Sequence, residues 1–141
     1  MLPRLEVSYK KDCSWPKESV EPIRSFLDLR PYLRHLPLLD REAVIAIHLD
    51  ALNRPLAKET ISLGTLTEAV LSPREVFKGA FLANSAGIIL VHNHPSGNPK
   101  PSERDIATTK RLAKAGELLG IPLVDHLIFA EGGLVSLCTA N

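Results

Sequence analysis

Ala86-Gly-Ile-Ile-Leu-Val-His-Asn-His94 runs into Pro95-Ser-Gly-Asn-Pro-Lys-Pro-Ser-Glu-Arg-Asp105, and the reading of this stretch decides the fold. Ala86–Val91 is a continuous apolar run of strand length, which predicts a buried β-strand. Residues 92–101 cannot continue it, because Pro95, Pro99 and Pro101 fix φ and remove backbone donors. Ser102-Glu-Arg-Asp105 then opens a helix that runs through Leu112, Leu118 and Leu119 to Gly120, a residue suited to the position after a helix C-cap. A strand, a short stiff loop and a helix start therefore lie in immediate succession. In extended chain alternate side chains share a face, so His92 and His94 can offer two imidazoles to one ion. Asp105, on the first turn of the helix, supplies a third candidate ligand. Two nitrogens and one carboxylate at about 2.0 to 2.2 Å leave the fourth position of a tetrahedral zinc for water, the mark of a catalytic rather than a structural site. The prolines lower the entropy lost in closing the loop, and Gly97 permits a positive φ or the close approach of a substrate chain.

Taken singly, these signals have plainer readings. Ser-X-X-Asp is an ordinary capping-box-like helix start, and His-X-His at a strand end is as often structural or merely exposed. His35 and His48 have no ligand-spaced partner and are read as ordinary surface or core histidines. Asp125-His126 reads as a polar pair at the start of a strand, with a supporting contact behind the metal as the alternative.

Outward from this stretch the elements alternate. Residues 20–36 show helical spacing at Ile23, Phe26 and Leu27, limited or broken by Pro22, Pro31 and Pro37. Ala43–Leu49 reads as a buried strand, the turn Asp50–Pro55 follows, and a second strand spans about Leu56–Leu63, stopping near Gly64. Ser72-Pro-Arg-Glu75 is a helix start with a capping box, running to about Asn84. Leu123–Ala130, the Glu131-Gly-Gly133 turn and Leu134–Leu137 form a closing hairpin.

The chain has 141 residues, 45% of them hydrophobic, enough for one core and too few for a second domain. Residues 1–19 are expected to form a loosely ordered arm and residues 20–141 a single domain. With 17 Lys and Arg against 16 Asp and Glu the net charge is +1, which gives no general attraction to phosphate backbones. Aromatic residues make up 5% of the chain, leaving few platforms for stacking bases, so direct DNA binding gains no support. Lys110, Arg111 and Lys114 are spaced as a solvated helix face. Cys13 and Cys138 stand far apart, fitting neither a disulfide framework nor a thiolate cluster. Neither a membrane span nor a signal pattern is present, and a cytoplasmic location is expected.

His92-X-His94, seven residues, Ser102, two residues and Asp105 reproduce the signature of the JAMM (MPN-plus) metallopeptidases, and the surrounding text resembles the RadC-type branch of that family. Leu49-Asp50, Gly64-Thr-Leu66, Ser72-Pro-Arg-Glu-Val-Phe-Lys78 and Gly120-Ile-Pro-Leu-Val-Asp-His126 extend the likeness over about residues 36–137. The resemblance implies an α/β (α+β) domain of the cytidine-deaminase-like MPN/JAB fold, a mixed sheet flanked by helices, with zinc (Zn2+) at the C-terminal end of the Ala86–Val91 strand. It implies that a glutamate just before the first core strand deprotonates the zinc water. Glu42 holds that place, with Glu59 second, although alone Glu42 is a solvated charge ahead of a buried strand. It further implies that Ser102 donates to the developing oxyanion. Many RadC members carry a helix-hairpin-helix module ahead of this domain, and residues 1–35 lack its glycine-hairpin text.

Three functions follow as expectations. The first is a zinc-dependent peptidase or isopeptidase acting on an unidentified peptide or protein, held in extended form along a free sheet edge. The second is a non-enzymatic DNA-repair or mobile-element accessory protein that uses the fold as a binding platform. The third, a nuclease, is invited by the literal His-Asn-His at 92–94. That nuclease motif, however, spreads its residues over a ββα-metal unit.

Overall fold

A computed structural model describes residues 3–6, 8, 21–33, 40–63, 71–131 and 133–138. Almost all of the expected arm, and the expected boundaries at Val20, Leu36, Pro37 and Gly64, lie outside the described residues. In chain order the elements are helix α1 (Phe26–Leu29), a 3-10 turn (Arg30–Tyr32), β1 (Ala43–Leu49), β2 (Pro55–Leu63), α2 (Pro73–Leu82), β3 (Gly87–Asn93), α3 (Glu103–Leu119), β4 (Leu123–Ala130) and β5 (Gly133–Ser136). The strands form one sheet in the order β2-β1-β3-β4-β5. β3 pairs parallel with β4 through the α3 crossover, and the other pairs are antiparallel, which makes the sheet mixed.

Burial on both faces explains why β1 and β3 read as continuous apolar runs rather than alternating ones. Ala43, Ile47, Leu49, Ile89, Val91 and Leu127 pack under Leu29, Tyr32 and Leu33 on one face. Val44, Ala46, Ile88 and Leu90 meet Val76, Phe77 and Ala80 of α2 and Leu112 of α3 on the other. Each fully buried large side chain of this kind contributes roughly 1.5 to 3 kcal/mol relative to exposure.

Three boundaries differ from the sequence reading. β3 continues through His92 and Asn93, because its backbone stays paired with Val44 on β1 and with Ile128 and Phe129 on β4. The helical stretch around residue 26 is short, since Pro31 brings no N–H and the chain tightens into the 3-10 turn there. Ser72 caps α2 with its backbone alone. Its carbonyl accepts from the amides of Glu75 and Val76, so the expected capping box is absent, and the Glu75 carboxylate pairs instead with Lys78 at 3.1 Å. α3, by contrast, ends as expected: Gly120 has φ +73° and the Ile121 amide reaches back to the Gly116 carbonyl.

β3 is interior to the sheet, so among the described residues only β2 and β5 offer a strand edge for an added peptide. Among the described residues no helix is long and apolar enough to cross a membrane.

Candidate metal centre

Three elements bring the predicted ligands together. His92 is the sixth residue of β3 and wholly buried, on the face that α3 covers; His94 follows just past the strand end. Hydrogen bonding of the His94 amide to the Phe129 carbonyl extends the parallel pairing by one residue and fixes that exit. The loop then turns at Gly97, whose φ of +87° disfavours any residue with a side chain. Asp105 enters from the first turn of α3. His92, His94 and Asp105 form a group able to hold a metal ion, each offering one ligand atom. The Nε2 atoms of His92 and His94 are 2.9 Å apart, and they lie 3.7 and 3.5 Å from the two Asp105 carboxylate oxygens. Ligands at 2.0 to 2.2 Å from a tetrahedral ion are about 3.3 to 3.6 Å from one another, so these separations bracket what such an ion requires.

Proton placement supports the same reading. The His94 Nδ1 lies 3.0 Å from the Asn98 carbonyl, which can only accept, so neutral His94 carries its proton on Nδ1 and turns a bare Nε2 to the centre. Burial pushes His92 down from 6.5 to about 4, an effect that the Asp105 charge opposes and the His94 charge reinforces. His92 is therefore neutral at physiological pH. Two imidazoles and a carboxylate converge in this largely buried site, an arrangement that suits a cation between them.

Ser102 forms a capping box with Asp105: its Oγ accepts from the Asp105 amide at 3.0 Å, and its own amide donates to Asp105 Oδ2 at 2.8 Å. The bland reading of Ser-X-X-Asp is thus correct, and it also orients the third ligand. The Ser102 hydroxyl hydrogen is not used by the cap. A cleft of about 340 Å³ opens beside the ligands, lined by Glu42, His94, Pro95, Ser96, Ser102, Arg104 and Asp105. Glu42 thus shares one cleft with two of the ligands and with Ser102. Glu59 lies elsewhere: on β2, its carboxylate meets His48 Nε2 at 2.9 Å.

Two buried partners, Asn93 and Thr109, escaped the sequence reading. Asn93 accepts from the Ala43 amide at 2.7 Å and donates to the Arg41 carbonyl at 3.0 Å, which clamps the backbone on both sides of Glu42. His126 does not use Asp125 as an imidazole partner. The Asp125 carboxylate takes the His126 amide and the Ser136 hydroxyl, while the His126 ring lies between His92 Nδ1 at 2.9 Å and Thr109 Oγ1 at 2.7 Å. Burial, reinforced by the His92 charge, pushes His126 from 6.5 down to about 3. The alternative reading of Asp125-His126, a carboxylate–imidazole contact, is therefore not what forms: the ring reaches His92 and Thr109 instead, and sequence gave no sign of Thr109.

Residues 23–141 match the RadC-like JAB domain model. The chain is 52% identical over 99 residues to a UPF0758 protein of Desulforamulus reducens, covering 70% of this chain and 44% of the relative. It is 43% identical over 122 residues to a UPF0758 protein of Methanococcoides burtonii, covering 86% and 52%. A UPF0758 protein of Geobacillus sp. (strain WCH70) is 46% identical over 116 residues, covering 82% and 51%. The chain spans about half the length of these curated relatives. With the mixed sheet, the flanking helices and the His-His-Asp group in place, the matched span assigns the fold: the chain belongs to the RadC-like JAB domain family.

Proposed function

We propose that this chain is a zinc-dependent hydrolase of JAMM type, a metallopeptidase or isopeptidase acting on a peptide or protein substrate. The observation that carries the reading is the cleft that Glu42 and Ser102 share with His94 and Asp105, two members of the group that His92 completes. When bound, zinc supplies a Lewis acid and lowers the pKa of a water to about 7. The Glu42 carboxylate takes a proton from the attacking water as its oxygen bonds to the substrate carbonyl carbon. The Ser102 hydroxyl donates to the carbonyl oxygen as negative charge develops there. Glu42 then returns the proton to the amine nitrogen as the C–N bond breaks, so the group ends the cycle as a carboxylate. Arg104 at the cleft wall adds a cation beside the substrate path.

The test begins with metal content of tag-free protein purified without added metal. Near-stoichiometric zinc is expected in the wild type and in Glu42→Gln, and none in Asp105→Ala. Cleavage of peptide and isopeptide libraries should fall about 10²- to 10⁴-fold in Glu42→Gln, the span typical of a lost general base. A wild type that takes up no zinc even on reconstitution sinks the reading.

A further inference from the structure

Behind the ligands, on the side away from the cleft, runs a chain of hydrogen bonds that the hydrolytic reading leaves unused. Thr109 Oγ1 lies 2.7 Å from the Asp105 carbonyl oxygen and 2.7 Å from His126 Nδ1, and His126 Nε2 lies 2.9 Å from His92 Nδ1. Thr109, His126 and His92 are all buried, at 5%, 0% and 0% exposure, so water does not scramble the order of donors and acceptors.

We propose that this chain fixes the proton positions of both rings so that His92 presents a bare Nε2 to the metal centre, which makes Thr109 and His126 positioning residues for a ligand. A carbonyl oxygen only accepts, so the single Thr109 hydroxyl hydrogen points to Asp105. The Thr109 oxygen then accepts from His126 Nδ1–H. Neutral His126 is left with a bare Nε2, which accepts from His92 Nδ1–H. Neutral His92 therefore has its lone pair on Nε2, the atom facing Asp105 and His94.

The opposite order would move every proton one step along. It would turn the hydroxyl lone pairs onto the Asp105 carbonyl at 2.7 Å, in a buried spot on a rigid helix where nothing relieves the repulsion. The proposed order instead sets two bare Nε2 atoms 2.9 Å apart, next to the cleft that His94 lines, where water or a cation can separate them. Asp105 thus acts twice, through its carboxylate as a candidate ligand and through its carbonyl as the anchor of the chain that sets His92. Residues 105 and 109 stand one helical turn apart on α3, which lets one residue serve both ends.

The consequence for metal affinity rests on the metal-centre reading, whereas the proton order can be read without any metal. The experiment records long-range proton–nitrogen NMR spectra of the metal-free, 15N-histidine-labelled full chain, then measures zinc affinity by chelator competition, for wild type, Thr109→Val and Thr109→Ser. Expected are Nδ1–H forms of His92 and His126 in the wild type. In Thr109→Val the His126 proton should leave Nδ1, which no longer has an acceptor, and zinc affinity should fall about 10- to 100-fold. Thr109→Ser should restore both. A wild-type His92 that carries its proton on Nε2 overturns the inference whether or not any variant folds, as does a Thr109→Val protein that keeps wild-type tautomers and affinity. Failure of every form to bind zinc, with the expected tautomers present, would count against the hydrolase reading and leave the proton order established.

Discussion

At the scale of single residues, Asn93 illustrates how a structural side chain can govern a reactive one. Glu42 is the single residue between Arg41 and Ala43, both of which Asn93 holds by hydrogen bonds. Asn93→Ala should leave the buried Ala43 amide without its side-chain partner, at a cost of about 1 to 3 kcal/mol of stability. If Glu42 is the proton carrier, hydrolysis should fall while zinc content stays at the wild-type level. Metal analysis beside denaturant unfolding and peptide turnover checks this, and loss of zinc in Asn93→Ala would show that the clamp supports the ligands rather than the glutamate.

Among elements, the end of α3 meets the start of β4 closely at Gly116. A Cβ added to Gly116 would lie 2.6 Å from the Ile121 carbonyl oxygen and 3.2 Å from the Leu123 amide, both backbone atoms with no rotamer to change. Gly116→Ala should therefore cost about 1 to 3 kcal/mol, against the gain in helix propensity that alanine brings elsewhere. Because α3 carries Asp105 at one end and Gly116 near the other, a shift of the helix should also weaken metal binding. Thermal unfolding and a zinc titration of the same variant would measure the two effects, and an unchanged melting temperature would contradict the packing argument.

For the whole molecule, two buried neutral histidines make the metal-free protein acid-sensitive. His126 has a folded pKa of about 3 and His92 of about 4, both below the ordinary 6.5. Between those values the unfolded chain binds more protons than the folded one, so stability rises with pH across the window. The contribution is complete above about pH 6.5 and is lost as pH falls towards 3, on the order of a few kcal/mol. Denaturant midpoints of metal-free protein at pH 7, 5.5 and 4 should decline steadily. A flat profile would mean that these rings take up protons without unfolding the core.

The sequence by itself determined the strands at 43–49 and 123–130, the helix from Glu103 to Leu119 and the candidate group His92, His94 and Asp105, because each is carried by local signals. Long apolar runs, prolines that stop them, a helix start and fixed ligand spacing all act over a few residues. The two-residue extension of β3 and the absent Ser72 capping box were decided by pairing and backbone hydrogen bonds that local propensity does not contain. Only the tertiary structure placed Glu42 in the cleft, Glu59 against His48, Asn93 across the Glu42 backbone and Thr109 behind His126. Those placements join residues 11 to 63 positions apart, and their geometry is set by sheet order and by the seating of α3. Local patterns encode which groups can bind a metal; long-range packing decides where their protons lie and which carboxylate stands beside them.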